Sequence, residues 1–180
     1  MGIHQLSVSH DECEDRLLLH VGTHESQEYR FWLTRRMVHR LLPELEKALR
    51  QSALHVPGVV AQDAHSRQMV SDFQRERFLQ LADFQTPYVP RDQDLPLGEH
   101  PMLLTEIHIT PQPQGDSLLV LQDSRPGGLS CQLQLPSSLL HGLVHLIRQT
   151  LERLDWALAN VTEPTHAPGP ESATHVPYPH

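Results

Sequence analysis

This sequence predicts an α+β fold in which a strand-strand-strand-helix unit occurs twice, the copies related by a pseudo-two-fold, with antiparallel strands, helices packed on them and one further helix inserted between the copies. Three observations carry this. Arg16 to Arg50 (RLLLHVGTHESQEYRFWLTRRMVHRLLPELEKALR) matches Ser117 to Glu152 (SLLVLQDSRPGGLSCQLQLPSSLLHGLVHLIRQTLE) at a spacing of 101 to 102 positions. Before each helix the apolar residues recur with period 2, as half-buried strands require. After it they recur with the period of a helix that has one buried stripe.

The spacing of 102 pairs Leu33 with Leu135, Met37 with Leu139, Val38 with Leu140, His39 with His141, Leu41 with Leu143 and Leu49 with Leu151. Upstream it falls to 101, pairing Leu6 with Ile107, Val8 with Ile109, Asp15 with Asp116, Leu17 with Leu118 and Leu18 with Leu119. One extra residue in DSRPGGL relative to GTHESQ accounts for the change, because turns tolerate length changes.

In the first strand Leu6 and Val8 alternate with Gln5, Ser7 and Ser9. The acidic run Asp11, Glu12, Glu14 and Asp15 follows; it lacks the spacing of a calcium loop and reads as a solvated turn. The second strand, Arg16 to Val21, is nearly all apolar. In the third, Tyr29, Phe31 and Leu33 face the core like Cys131, Leu133 and Leu135, while Arg30 and Trp32 face outward like Gln132 and Gln134. Thr34 in one copy and Ser137 or Ser138 in the other are the expected helix N-caps, since a hydroxyl oxygen there accepts from a first-turn N–H. Val38, Leu41, Leu42, Leu45 and Leu49 form one helical stripe, and Leu140, Leu143, Val144, Ile147 and Leu151 form the other. Pro43 is expected to bend the first helix. The second is expected to run through Trp156 to about Asn160.

The divisions are residues 1–50 for the first unit, 51–101 for the insertion, 102–160 for the second unit and 161–180 for a tail. Within the insertion, residues 62–84 read as a helix with Val70, Phe73, Leu81 and Phe84 on one stripe and Arg77 inside it. The proline-rich QTPYVPRDQDLPLGEHP after it reads as an extended strap. The tail offers too few core formers to order itself.

A net charge of −8 argues against electrostatic wrapping of duplex DNA. Two cysteines, Cys13 and Cys131, make no disulfide framework and no zinc site. The N-terminus lacks a leader pattern and no stretch is long enough to span a bilayer, so a cytoplasmic protein is expected. His141 and His145 have metal-ligand spacing, but the Glu of H-E-x-x-H is missing. No hydrolase elbow or phosphate loop occurs, so no catalytic residue, cofactor or metal is assigned.

One surface group stands out: Arg30 and Trp32 on the outer strand face, followed by Arg35, Arg36 and Arg40 in the first turns of the helix. Aromatic rings stack on unpaired bases while guanidinium groups hold phosphates. The repeated sheet-then-helix plan resembles, in topology alone, the Pur-alpha and whirly single-strand binders, with three strands per unit where theirs have four. Two functions are therefore expected. The first is a non-enzymatic scaffold binding another protein through Phe73, Arg77 and Phe84 of the inserted helix or through the outer sheet face. The second is single-stranded DNA or RNA binding through the five-residue group. A homodimer is also expected, because a six-stranded sheet with two helices would leave an opposite face bearing Leu18, Trp32, Leu119 and Leu121.

Overall fold

The computed structural model describes residues 2–52, 94–112 and 115–156, together with Met69, Asp72, Phe73 and Glu76 of the intervening segment. Three antiparallel strands, β1 (Ile3–Asp11), β2 (Arg16–Thr23) and β3 (Glu28–Thr34), lead into α1 (Arg35–Ser52). After the intervening segment comes a two-residue strand, β4 (Met102–Leu103). Three further antiparallel strands, β5 (Glu106–Pro111), β6 (Ser117–Gln122) and β7 (Ser130–Leu135), lead into α2 (Ser137–Leu151). The fold is α+β with two sheets, ordered β1-β2-β3-β4 and β5-β6-β7, in place of one continuous sheet.

Cross-strand rows show how the two sheets correspond. Val8, Leu19 and Phe31 form one row of the first sheet, and Ile109, Leu119 and Leu133 form one of the second. The next rows are Leu6, Val21 and Tyr29 against Ile107, Leu121 and Cys131. The spacing is thus 101 in the first strand, 100 in the second and 102 in the third. Pairing Leu17 with Leu118 and Leu18 with Leu119 was therefore wrong by one residue. Such a slip transfers a whole strand to the opposite face, which is why Leu119 and Leu121 sit in the core at 1% and 2% exposure instead of on the outer face. Relative to the first hairpin, the turn before β6 is one residue shorter and the turn after it two residues longer.

The longer turn, Asp123 to Leu129, closes through Asp123 N–H donating to Leu129 O at 2.9 Å. Gly127 adopts φ +76°, and a Cβ on Gly128 would collide with Asp123 O, so both glycines are required there.

Both helical stripes are buried in full. Each helix lies against the first strand of the opposite unit, α1 on β5 and α2 on β1, and the two helices touch each other. One apolar cluster consequently runs through both units. At the helix contact, Arg148 Nη2 donates to Glu46 Oε1 at 2.5 Å. These positions stand 102 apart in the chain.

Thr34 is the N-cap of α1, accepting from Met37 N–H at 3.2 Å. In α2 the cap position is Pro136 with no side-chain cap bond, so neither Ser137 nor Ser138 caps it. Pro43 leaves α1 one continuous helix; its side chain is exposed, where water can serve the carbonyl that its ring cannot bond. α2 stops at Leu151, short of Trp156. The chain then turns so that the buried Trp156 docks on the first hairpin, its Nε1–H donating to Asp15 Oδ1 at 3.1 Å and its ring meeting His10 edge-on. The last turn tightens before that contact, with Arg153 N–H donating to Thr150 O and Leu154 N–H to Leu151 O. The Arg77 and Phe84 positions and the tail lie outside the described residues.

Candidate functional site

The five residues of the Arg/Trp group divide between two environments. Arg30 lies on the outer face of β3 beside His20 of β2. Its Nη2 donates to the backbone oxygens of Gly98 and Glu99, and its Nε lies 4.0 Å from Glu28 Oε1. Glu28 is buried and accepts from His20 Nδ1–H at 2.7 Å. Arg30 therefore holds the strap at residues 94–100 onto β3. Backbone bonds complete that attachment: Glu28 N–H donates to Asp94 O and Asp94 N–H to Ser26 O. A guanidinium committed to two carbonyls and facing a carboxylate offers little to a phosphate.

Trp32 is half-buried, in a row with Ser9, Leu18 and Leu103. Its carbonyl accepts from Leu104 N–H at 2.9 Å. Apolar neighbours on both adjoining strands stabilise the indole where it lies.

Arg35, Arg36 and Arg40 are exposed. None of them has a carboxylate within ion-pair distance among the described residues. Arg36 and Arg40 share a cleft of about 90 Å³ with Thr34, Met37 and the backbone turn Leu103 to Thr105. At its far side sits a group with no precedent in the sequence reading. Ser124 Oγ donates to Glu106 Oε2 at 2.7 Å, and His108 Nε2 lies 3.0 Å from Glu106 Oε1. The serine bond above all, then His108 and the charge of Arg40, hold the Glu106 carboxyl below its usual range. Both donors converge on the one carboxylate, so Ser124 and His108 each bond Glu106 and no bond joins the serine to the histidine. Glu106 and His108, two apart on one strand face, were the available sequence signal; only the fold brings Ser124 and Arg40 to them.

Of the residues expected to bind a partner, Phe73 is helical and 66% exposed, and the helical Met69, four positions before it, is 61% exposed. The acidic first turn is tied internally: Asp11 Oδ1 accepts from Glu14 N–H, Glu14 pairs with Arg16 at 3.2 Å, and Asp15 accepts from Trp156. No group of three or more metal-ligating side chains occurs among the described residues. No described helix is long and apolar enough to cross a membrane.

No protein-family model matches this chain, and comparison with curated proteins and with solved structures finds no match.

Proposed function

We propose that this chain is a non-enzymatic interaction module, a scaffold made by duplication of one βββα unit, which binds another protein through the helix bearing Met69 and Phe73. The observation that carries the reading is the exposure of those two residues. Positions four apart share a helix face, and both are more than 60% exposed while nearly every other large apolar side chain among the described residues is covered. Such a face is what a hydrophobic groove accepts. The working protein is taken to be a cytoplasmic homodimer.

Duplication is supported by the matching rows and by the Glu46–Arg148 pair. In a true two-fold assembly the equivalents at the axis are identical, so like charges would meet there. In a single chain they can diverge into opposite charges, as these have.

A photo-crosslinking residue at position 73 tests the reading. It should give one discrete protein adduct in cells that make the full chain, lost when Met69 is changed to Asp. Absence of any adduct at position 73 overturns the reading.

Binding of single-stranded nucleic acid remains as a second reading because Arg35, Arg36 and Arg40 have no ion-pair partner among the described residues although acidic side chains outnumber Lys and Arg 22 to 14. If it holds, a gel shift with short single-stranded DNA or RNA should weaken steeply between two salt concentrations. Arg36→Glu with Arg40→Glu should abolish it.

A further inference from the structure

We infer that the outer edge of β7 is a self-association site, pairing antiparallel with β7 of a second copy of this chain. The inference rests on the reading of the protein as an interaction module and names a surface separate from Met69 and Phe73. A sheet edge presents unpaired N–H and C=O groups, and proteins blunt such edges with charges, prolines, short strands or covering elements. The other edges in this molecule are blunted. β1 and β5 each lie against a helix of the opposite unit and carry His4, His10 and Asp11 or Glu106, His108 and Pro111. β4 is two residues long and follows Pro101.

Among the described residues, β7 has none of these devices. It is six residues long, SCQLQL, without charge, proline or register shift, and no described strand lies beyond it. Its counterpart β3 shows that this edge position takes a strand. There Glu28 N–H donates to Asp94 O, and Trp32 O accepts from Leu104 N–H. The residues 102 positions on are Ser130 and Gln134, whose side chains are exposed. Backbone groups alternate along a strand, so those of Ser130, Gln132 and Gln134 face outward together.

A second copy is the occupant that fits. Antiparallel pairing about a two-fold sets Gln132 and Gln134 against one another, neutral amides that can bond across the pair, so no like charges are opposed. The exposed Leu129 beside the strand would gain cover at each end of the ribbon. Contact between six-residue strands is small, so the dimer is weak and concentration-dependent.

The test is the mass of the full, reduced chain by light scattering from about 5 to about 500 µM, with backbone amide exchange read at both ends of that range. The expected result is a rise above the 20.5 kDa of one chain, with slower exchange at Ser130, Gln132 and Gln134 at the higher concentration. Gln132→Pro, whose lost N–H serves no bond within the sheet, and Gln134→Lys, which sets like charges across the two-fold, should each weaken association by about tenfold. A monomer throughout overturns the inference. So does a dimer indifferent to both changes, or one abolished by Met69→Asp alone; this last result leaves the helix-docking reading standing. Loss of the position-73 adduct with the edge dimer intact would overturn that reading and keep this one.

Discussion

The two halves of the molecule share a core and differ on their outsides. From β1 to α1 the surface is charged and tied down: Arg30, Glu28 and His20 anchor a strap, β4 covers the edge, and Thr34 caps the helix. From β5 to α2 the outer strand shows Gln132 and Gln134, the edge has no described neighbour, and the helix starts without a side-chain cap. Three pairs along the helix stripes hardly differ. Val38 with Leu140, Leu41 with Leu143 and Leu45 with Ile147 match to within 1% in exposure. A shared core fixes inner positions in pairs, whereas outer positions answer to separate neighbours and diverge.

The largest expected effect tests the sameness of the cores. Phe31→Ala and Leu133→Ala occupy equivalent rows, and urea unfolding should show each losing about 2 to 5 kcal/mol, the phenylalanine at the upper end. Both should act on one cooperative transition, because a single apolar cluster serves both halves. Two separate transitions would break the comparison at its root.

Next comes the contrast between helix starts. Thr34→Ala should cost about 1 kcal/mol, and Ser137→Ala with Ser138→Ala close to nothing, both read from denaturant midpoints. Equal losses would mean that a serine caps α2 in solution.

The helix contact gives a smaller effect. Glu46→Arg places two guanidinium groups at the partly exposed contact and should cost up to about 1 kcal/mol, with Glu46→Arg plus Arg148→Glu recovering most of it. Failure of the double exchange to recover stability would remove the pair from the support for duplication.

Acid should act on the turn that Asp123 closes. Arg125 bonds the Asp123 carboxylate in a fork, at 2.6 Å from Nη2 and 2.9 Å from Nε, and this holds the carboxyl below its usual range. The folded pKa is depressed, so the contribution is present above the unfolded value of about 4 and is lost as pH falls through the lower folded value. The counterpart turn is closed by Thr23 Oγ1, which does not titrate there. Asp123→Asn should therefore flatten the acid limb of stability against pH, leaving the share of the exposed Glu25 in the counterpart turn, which the Gly2 N–H holds below its usual range.

The smallest effect is a rate. Burial pushes the Cys131 thiol up to about 11, while Cys13 lies exposed in the first turn. A thiol reagent at about pH 8 should label one cysteine in the native protein and two in denaturant, because only the thiolate reacts. Prompt labelling of both would show that the inner face of β7 opens.

Sequence by itself determined the types and order of the six longer strands and the two helices that follow them, and the buried stripes of both helices, while the two-residue β4 went unread. Period 2 and period 3.6 are written locally, and apolar burial enforces them. It also placed Arg35, Arg36 and Arg40 at the surface. The register of β6 was beyond it, because SLLVLQ is apolar at four consecutive positions and alternation cannot say which of them face inward; pairing with β5 and β7 decides that. The docking of Trp156 involves Asp15, which lies 141 residues away. Arg30 passed from a surface patch to a strap anchor for the same reason, since its carbonyl partners lie 68 and 69 residues on. Local spacing fixes what a side chain can do, and contacts between distant segments fix which groups remain available to do it.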